Sequence, residues 1–515
     1  MKNNYLTRFS VLKAVVVVAV CAVAPANIAA QNDYTVSPIP YQVYEATASV
    51  QGTMDDSFSA PIPLTFNFDF YGATCSQVSV STNGYISFTP YAEGYLSPWN
   101  TDVNMPIPDA SFPVKNAFMG AFHDLNNANA QGTITYAVIG SAPYRKFVVM
   151  FDNNSHFSCY EIKSSFQMVL YETLNIMDVQ LIDKQVCLAW NEGSTVTGII
   201  NETGLLGIAA PNRNIGAWTA FHEGWRFQRP FATDTYLFAK CDDDADGFVN
   251  FNLSVAQNDL LPGNPSLVTF YQTQADAVSL DNPILDLDYA NATAGSQTIY
   301  ANVDGEIKSI KLLVVDCNND YDLDSVATAD EDQNDDTNLA NDDTDGDGIA
   351  NFIDNDDDGD MVLTSVEYVF NRSANGTNSY LDTDNDGILN YLDSDDDGDE
   401  ILTINEDANA NNNPADDDAD ANGTPDYLQN NNLAVNHFQD GNSIVIYPNP
   451  ATSILNVNNT SGLTISSIAI YAVNGTLVKQ LPDASSIPVA DLQSGLYFVK
   501  IITGQKVLNY KFVKK

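Results

Sequence analysis

Residues 76–88 read SQVSVSTNGYISF. Apolar and polar residues alternate on both sides of Asn83-Gly84. That is the pattern of two half-buried strands joined by a tight turn whose central positions tolerate positive φ. The same period-2 pattern recurs outward from it, in GTITYAVIG (132–140), RKFVVMFDN (145–153), SSFQMVLYET (164–173) and NIMDVQLID (175–183). These runs favour strands and carry no helical period. Residues 31–230 are therefore expected to fold as an antiparallel β-sandwich. Residues 231–317 open with CDDDADGFVNFNL, pass through VTFYQT and QTIYANV, and close with IKLLVVDC. Short strands between turn residues predict a small β-domain there, drawn as a second sandwich. Residues 441–515 hold IVIYPNPATSILNV, ISSIAIYAVNG, GLYFVKIITG and VLNYKFVKK, which predict a small Ig-like β-sandwich. The expected fold class is all-β and multidomain.

Charge divides the chain differently. Between Cys317 and Asn430 stand 34 acidic residues and one base, Arg372, so this stretch carries −33 of the chain's −46. Residues 441–515 are net +4, with six lysines and two aspartates. So acidic a surface repels nucleic acid, which is not expected as a partner.

The acids form a lattice. DTDGDGIANFIDNDDDGD (343–360) is echoed by DTDNDGILNYLDSDDDGD (382–399). A twelve-residue calcium loop needs oxygens at positions 1, 3, 5, 9 and 12 and glycine at 6 for the sharp turn. Asp343, Asp345, Asp347, Asn351 and Asp354 fit that frame with Gly348, and Asp382, Asp384, Asp386, Asn390 and Asp393 fit it with Gly387. Asp418, Asp420, Asn422 and Asp426 fit with Gly423, but position 12 is Gln429. A second loop type interleaves, with acids at 1, 3, 5 and 12: Asp320, Asp322, Asp324 and Glu331; Asp356, Asp358, Asp360 and Glu367; Asp395, Asp397, Asp399 and Glu406. Position 9 is Thr328, Thr364 or Thr403, and position 6 is not glycine. These loops are expected to share a cation with a neighbour. Six candidate Ca²⁺ loops thus fall in three tandem units of 36–39 residues (318–430), a loop-rich stalk with a thin apolar core. Two carboxylates 4 Å apart repel by about 1 kcal/mol even in water, so the metal-free tract is expected to expand. The competing reading is a disordered acidic linker; random acidic runs do not regenerate glycine at one phase and glutamate at another. Asp242, Asp244, Asp246, Gly247 and Asn250 spell one partial copy, with a plain acidic turn as its alternative.

Lys2, Arg8 and Lys13 precede the apolar run VVVVAVCAVA, and small residues follow in NIAAQ. Residues 1–30 read as a signal peptide cleaved after Ala30, with a lipoprotein signal at Cys21 as the weaker alternative. No later stretch is apolar enough to span a membrane. Export permits disulfides. Cys159 and Cys187 flank adjacent strand candidates, and Cys241 and Cys317 bracket one segment. Each couple is expected to pair, leaving Cys75 over; five buried free thiols is the open alternative. A staple from Cys241 to Cys317 constrains the unfolded chain by ~4 kcal/mol.

Residues 318–430 resemble thrombospondin type 3 repeats and related EF-hand-like aspartate repeats at the loops. The tail, with Tyr447-Pro448-Asn449-Pro450, Asn474-Gly475, Ser494-Gly495-Leu496-Tyr497 and the basic end Lys511 to Lys515, resembles the sorting domain of the type IX secretion system of Bacteroidetes. That resemblance implies the type IX machinery as a partner, passage through the outer membrane, and then surface attachment or release. STNGYISF, GAFHDLNN, APYRKFVVMFDN, VLYETLNIMDVQL, CLAWNEG and WRFQRP resemble a β-rich module of large surface proteins of the same bacteria. Residues 231–317 resemble a module that often follows it. A cysteine pair across the two central strands of the first module corresponds to Cys159 and Cys187.

Only four histidines occur, His123, His156, His222 and His437, with no nucleophile elbow, zinc-spaced histidine pair or phosphate loop beside them. No catalytic residue is assigned and no enzyme is expected. Tyr91, Tyr95 and Trp99 offer an aromatic cluster that packs on the sandwich or stacks on sugar rings. The expectation is an exported, calcium-binding, adhesin-like surface protein with a calcium-stiffened spacer and a short linker at 431–440, facing a glycan or protein ligand. The alternative is a glycan-binding or glycan-degrading protein acting through the N-terminal sandwich.

Overall fold

The computed structural model describes residues 34–430 and 444–515, apart from 51–54, 100–104, 127–131, 231–234 and 373–377 in the first span and 460–464, 473–475, 483–485 and 504–506 in the second. The expected signal peptide and the 431–440 linker lie outside the described residues. The chain divides into two units between residues 430 and 431.

The first unit begins with the expected sandwich. Its strands are β1 (Thr35–Ile39), β2 (Ala48–Ser49), β3 (Ile62–Phe70), β4 (Ala73–Ser81), β5 (Tyr85–Ser87), β6 (Ala117–Phe122), β7 (Thr133–Ile139), β8 (Lys146–His156), β9 (Cys159–Tyr171), β10 (Met177–Lys184), β11 (Val196–Ile200), β12 (Gly207–Asn214) and β13 (Ala220–Gln228). They form a seven-stranded sheet, β1-β13-β10-β9-β8-β7-β2, and a six-stranded sheet, β12-β11-β6-β5-β4-β3. Strand alternation sends Phe147, Val149 and Phe151 of β8 into the interior with Phe68, Phe118, Phe166 and Phe227. The intervening residues Lys146 and Val148 are buried too, on the outer face of the same sheet. Something must cover that face, and the acidic repeats do.

The β4–β5 hairpin differs in detail from its expected turn. Ser81 pairs with Tyr85, so the turn has three residues, and Gly84 rather than Asn83 takes positive φ (84°). A Cβ on Gly84 would stand 2.2 Å from the Ala121 carbonyl oxygen. Asn83 is fully buried and uses its amide to tie neighbouring segments together, donating to Asp56 Oδ1 and to the Pro98 carbonyl and accepting from the Leu125 N–H.

The second domain is not a sandwich. Strands β14 (Thr235–Cys241), β15 (Asn250–Asn252), β16 (Val268–Tyr271), β17 (Asp288–Ala290), β18 (Ser296–Val303) and β19 (Glu306–Val315) alternate with helices α1 (Leu253–Leu260) and α2 (Gln274–Ser279). One mixed sheet, β14-β19-β18-β16, has β14 parallel to β19. Neither helix is long enough to show a period in sequence. Each starts at a side-chain cap instead, Asn252 accepting from Ser254 N–H and Thr273 from Asp276 N–H. Leu312 and Val314 pack into this domain's own core with Leu253 and Phe270, while the alternate residues Leu313 and Val315 face the other way. The expected disulfides are both made, Cys159–Cys187 and Cys241–Cys317, and Cys75 is a half-buried free thiol.

The second unit holds the strands Ile444–Tyr447, Ile454–Asn459 and Ser486–Pro488 in one sheet and Leu477–Leu481, Ile465–Ala472, Gly495–Thr503 and Val507–Lys514 in another. Its core includes Leu455, Ile468, Ile487, Val499 and Phe512. The Tyr-Pro-Asn-Pro motif grips the last strand. Asn449 Oδ1 accepts from Val513 N–H at 2.8 Å, and Ala451 N–H donates to the Val513 carbonyl.

Candidate metal centres

Loops of one shape run through the acidic region. They start at Asp320, Asp332, Asp343, Asp356, Asp382, Asp395, Asp407 and Asp418, and in each the fourth and sixth residues have positive φ, from 56° at Ala421 to 102° at Gly387. A side chain in that conformation costs ~1–2 kcal/mol, so something must hold Leu323, Ser325, Met361 and Glu400 there. The first aspartate does. Its Oδ2 accepts the N–H of the sixth residue, for example Asp332 from Thr337 and Asp407 from Asn412 at 2.8 and 2.7 Å, and Asp356 from Met361 at 3.3 Å. The fifth side chain accepts from the seventh N–H, as Asp324 from Val326 and Asp360 from Val362, both at 2.7 Å. Short side-chain to backbone bonds replace helix and sheet here. The same conformation at Ala245 and Gly247 makes Asp242, Asp244 and Asp246 a ninth copy in the second domain.

Two of these loops, 332–343 and 407–418, escaped the sequence reading. Asn334, Asn409 and Asn411 stand where acids were sought, and Thr337 and Asn412 stand where glycine was. The twelve-residue step from Asp320 to Asp332, repeated from Asp395 to Asp407, was the available signal. The units therefore run through three loop types. In the middle unit the hairpin of Phe370–Arg372 and Asn378–Tyr380 stands where the second type would be.

Asn351 and Asn390, expected as oxygens for a cation, are engaged elsewhere. Their Oδ1 atoms accept the N–H of Thr344 and Thr383 at 3.0 and 2.9 Å, and their Nδ2 atoms donate to the same threonines' hydroxyls. Asp426 likewise accepts from Ala419 N–H, and Thr364 from Asp357 N–H. The ninth position braces the loop.

The carboxylates converge between repeats. Asp322, Asp324 and Glu331 are essentially inaccessible, and Asp357, the second residue of the next loop of that type, joins them at 2% exposure. Ligand atoms of Asp324, Glu331 and Asp357 lie within 4.8 Å of one another. Both oxygens of Asp322, Glu331 and Asp357 lack a hydrogen-bond donor. Burial, then Glu331 and Asp324, push the Asp322 carboxyl well up. The arrangement repeats one unit on. Asp358, Asp360 and Glu367 are buried with Asp396, again a second-position residue, and Glu367 is pushed up by burial and by Asp360, Asp358 and Asp396. Asp357 and Asp396 were missed because position 2 is not a ligand position in a single loop. They lie beside the carboxylates of the preceding unit. The first loop has no unit before it and carries Tyr321 at that place.

A second kind of contact joins successive loops. Gly359 lies so close to Asp345 that a Cβ would stand 2.4 Å from Asp345 Oδ2, and Gly398 stands in the same relation to Asp384. Asp356 Oδ1 and Asp395 Oδ1 lack a partner beside them. Burial and the neighbouring carboxylates of Asp397, Asp399 and Asp426 push Glu406 up to about 8.

The repeats do not hang free as a stalk. Tyr321, Leu339, Ile349, Phe352 and Ile353 share one apolar cluster with Tyr44, Tyr144, Val148 and Val169 of the sandwich and with Leu313 and Val315 of β19. Phe352 and Tyr321 meet the Tyr144 ring edge-on at 5.2 and 5.6 Å. Lys146, 4% exposed, donates to the Tyr321 carbonyl at 2.6 Å. Arg226 holds Asp178 through two 3.1 Å bonds and reaches Asp354 at 3.8 Å. Apolar residues of the first repeat unit, Phe352 and Ile353 among them, form a junction of three domains, because a seven-stranded sheet with both faces apolar needs a cover.

His123 and His222 each precede an acid in sequence but are engaged elsewhere. His123 Nδ1 meets the Ala121 carbonyl and its Nε2 faces His156 Nε2 at 3.3 Å. Glu223 is held by Arg213, and His222 stacks on Tyr41. Tyr91 stacks on Phe58 at 4.0 Å and on Tyr95 at 5.3 Å, leaving Tyr95 57% exposed.

Residues 445–515 match the secretion system C-terminal sorting domain. The protein is exported. It is released or held at the cell surface, and its sorting tail implies interaction with the secretion machinery. Residues 237–319 match the Flavobacterium inter-domain disulphide bond domain, and both cysteines of the Cys241–Cys317 bridge fall within that span. With the sorting tail, this match supports a secreted protein of Bacteroidetes. Residues 30–240 match a family described as NIDO related, and 321–381, across the first two repeat units, match the BamM C-terminal family. No curated protein matches the chain. Among the described residues no helix is long and apolar enough to cross a membrane.

Proposed function

We propose that the acidic repeats hold Ca²⁺ in cages closed by consecutive units, and that filling them clamps the repeats onto the sandwich. The observation that carries this reading is the set of buried, donorless carboxylate oxygens of Asp322, Glu331 and Asp357. Such a set is strongly self-repelling without a cation. The donors are all oxygens, with no histidine or thiol among them, which suits a hard divalent ion. Asp322, Asp324, Glu331 and Asp357 would hold one site, and Asp358, Asp360, Glu367 and Asp396 the next. Because each cage draws on two units, binding is cooperative along the chain.

The assembled molecule is then an adhesin-type surface protein whose rigid body forms only where calcium is abundant. The repeats act as a clamp along the seven-stranded sheet rather than as a spacer. A glycan-binding role for the sandwich is the second reading, favoured by the exposed face of Tyr95 on Tyr91. Loss of glycan-array binding in Tyr95→Ala would support it.

Calorimetric Ca²⁺ titration of the full chain tests the calcium reading. Several cooperative sites are expected, and Asp357→Asn or Asp396→Asn should weaken binding about tenfold, ~1.4 kcal/mol. Absence of heat, with a circular dichroism spectrum indifferent to chelation, would overturn it.

A further inference from the structure

A separate acidic cluster lies at one end of the N-terminal sandwich, far in sequence from the repeats. Asp55 and Asp56 precede a short bridge at Ser57, and Asp124 follows β6. Ligand oxygens of the three lie within 4.8 Å of one another. Asp124 is only 5% exposed, and its Oδ1 has no hydrogen-bond partner; Asp55 Oδ1 is likewise buried and unpartnered. The remaining oxygens are steered by amides, Asn126 Nδ2 donating to Asp55 Oδ2 at 3.0 Å and Asn83 Nδ2 to Asp56 Oδ1 at 2.9 Å. Among the described residues no lysine or arginine forms a salt bridge with any of the three. Burial, Asp56 and Asp55 push the Asp124 carboxyl up to about 7, against a smaller lowering by the Trp190 indole N–H. Two amide donors and the neighbouring Trp190 indole N–H do not balance three converging carboxylates, and a buried charge needs a partner.

We propose that Asp55, Asp56 and Asp124 form a divalent-cation site of the sandwich itself, selective for a hard ion such as Ca²⁺ and independent of the repeats. The neighbouring imidazole His123 is not available as a ligand, because both its nitrogens are engaged. That leaves an all-oxygen set, which disfavours zinc. The site has a mechanical consequence. Asp56 accepts Ser97 N–H through its carbonyl at 2.8 Å, and Phe58 exchanges backbone bonds with Tyr95 and Gly94. A cation that fixes Asp55 and Asp56 therefore also fixes the loop presenting Tyr95 and Leu96, which are 57% and 64% exposed. The ion would order an exposed aromatic surface of the sandwich.

Terbium serves as the probe, in the full-length protein. Trp190 lines the same small cavity as Asp124, and no tryptophan lies in the repeats. Tryptophan-excited Tb³⁺ emission should appear, be displaced by Ca²⁺, and fall at least severalfold in Trp190→Phe, which keeps the carboxylates. Asp124→Asn should abolish the Trp190-dependent emission and lower the Ca²⁺ stoichiometry by one, and Asp55→Asn, at a less buried position, should do the same. Asp357→Asn in the repeats should leave that emission unchanged, so this proposal and the repeat reading fail separately. Emission that is unchanged in Trp190→Phe, or that persists with full stoichiometry in Asp124→Asn, would sink the proposal. If Asp124→Asn does not fold, the wild-type minus Trp190→Phe difference and its displacement by Ca²⁺ decide the matter.

Discussion

The interiors of the sandwich and of the acidic repeats are made of opposite materials. Between the two sheets lie Phe68, Phe118, Phe147, Phe151, Phe166 and Phe227, all essentially inaccessible. Each such side chain contributes ~1.5–3 kcal/mol by leaving water. Between consecutive repeats lie Asp322, Asp324, Glu331 and Asp357, just as inaccessible. There each close pair opposes folding, by ~4 kcal/mol at 4 Å and an effective dielectric of about 20. Burial stabilises the first interior and destabilises the second unless a counter-ion enters. On the proposed reading, one molecule holds a region stabilised by excluding water from apolar side chains and a region whose stability depends on the ion supply. The Tyr144, Tyr321 and Phe352 junction couples them.

The sharpest way to break the contrast is to remove divalent ions. Chelation should strip hydrogen-exchange protection from residues 318–430, leave β8–β10 and β13 protected on the inner face, and be reversed by Ca²⁺. Equal response of both regions would mean that the repeats have an ordinary core. Next in size is Phe352→Ala, which should cost about 3–5 kcal/mol of docking. It should show as new protease sensitivity near residues 318–360 in calcium, with the sandwich's own melting almost unmoved.

Gly398→Ala should cost about 1–3 kcal/mol, because a Cβ there meets Asp384 and the backbone sits at positive φ. The change should lower calcium affinity of the last two units and not the first. The smallest effect is that of pH on the chelated protein. Burial and neighbouring carboxylates raise Asp345 to about 6, Asp342 to about 7 and Glu406 to about 8. Folded values above the unfolded value of about 4 mean that the compact state takes up protons. Its stability from these groups is full below that unfolded value and lost as pH rises through 6–8. Ion-free repeats should therefore contract on acidification from pH 8 to 5, measured by small-angle scattering, while calcium binding weakens over the same range as protons compete. Expansion on acidification of the ion-free protein would contradict the raised carboxyls.

Much of this was readable from residues. The alternation around Asn83-Gly84 located a true hairpin, though its turn has three residues because Asn83 is drawn inward to bind Asp56 and Leu125. Both disulfides were expected, Cys159–Cys187 from cysteines flanking adjacent strand candidates and Cys241–Cys317 from cysteines bracketing one segment. Loops with glycine at position 6 were legible because positive φ without a side chain leaves a glycine in the sequence. The loops at 332 and 407 were not, since a carboxylate accepting the backbone N–H forces Thr337 or Asn412 into the same conformation without that mark. The helices α1 and α2 were missed for want of length, being eight and six residues.

By itself the chain determined which segments form sheets, where carboxylates fall at loop spacing, and that its tail carries the export motif. These are local matters, decided by side-chain period, turn geometry and short motifs. Only the tertiary structure decided that Asp357 and Asp396 lie beside the preceding unit's buried carboxylates, that the repeats lie against β8–β10 and β13, and that Asp55, Asp56 and Asp124 meet. Each of those depends on segments brought together across tens to hundreds of residues. Which carboxylates share a low-dielectric space is set by packing, and a linear spacing does not contain it.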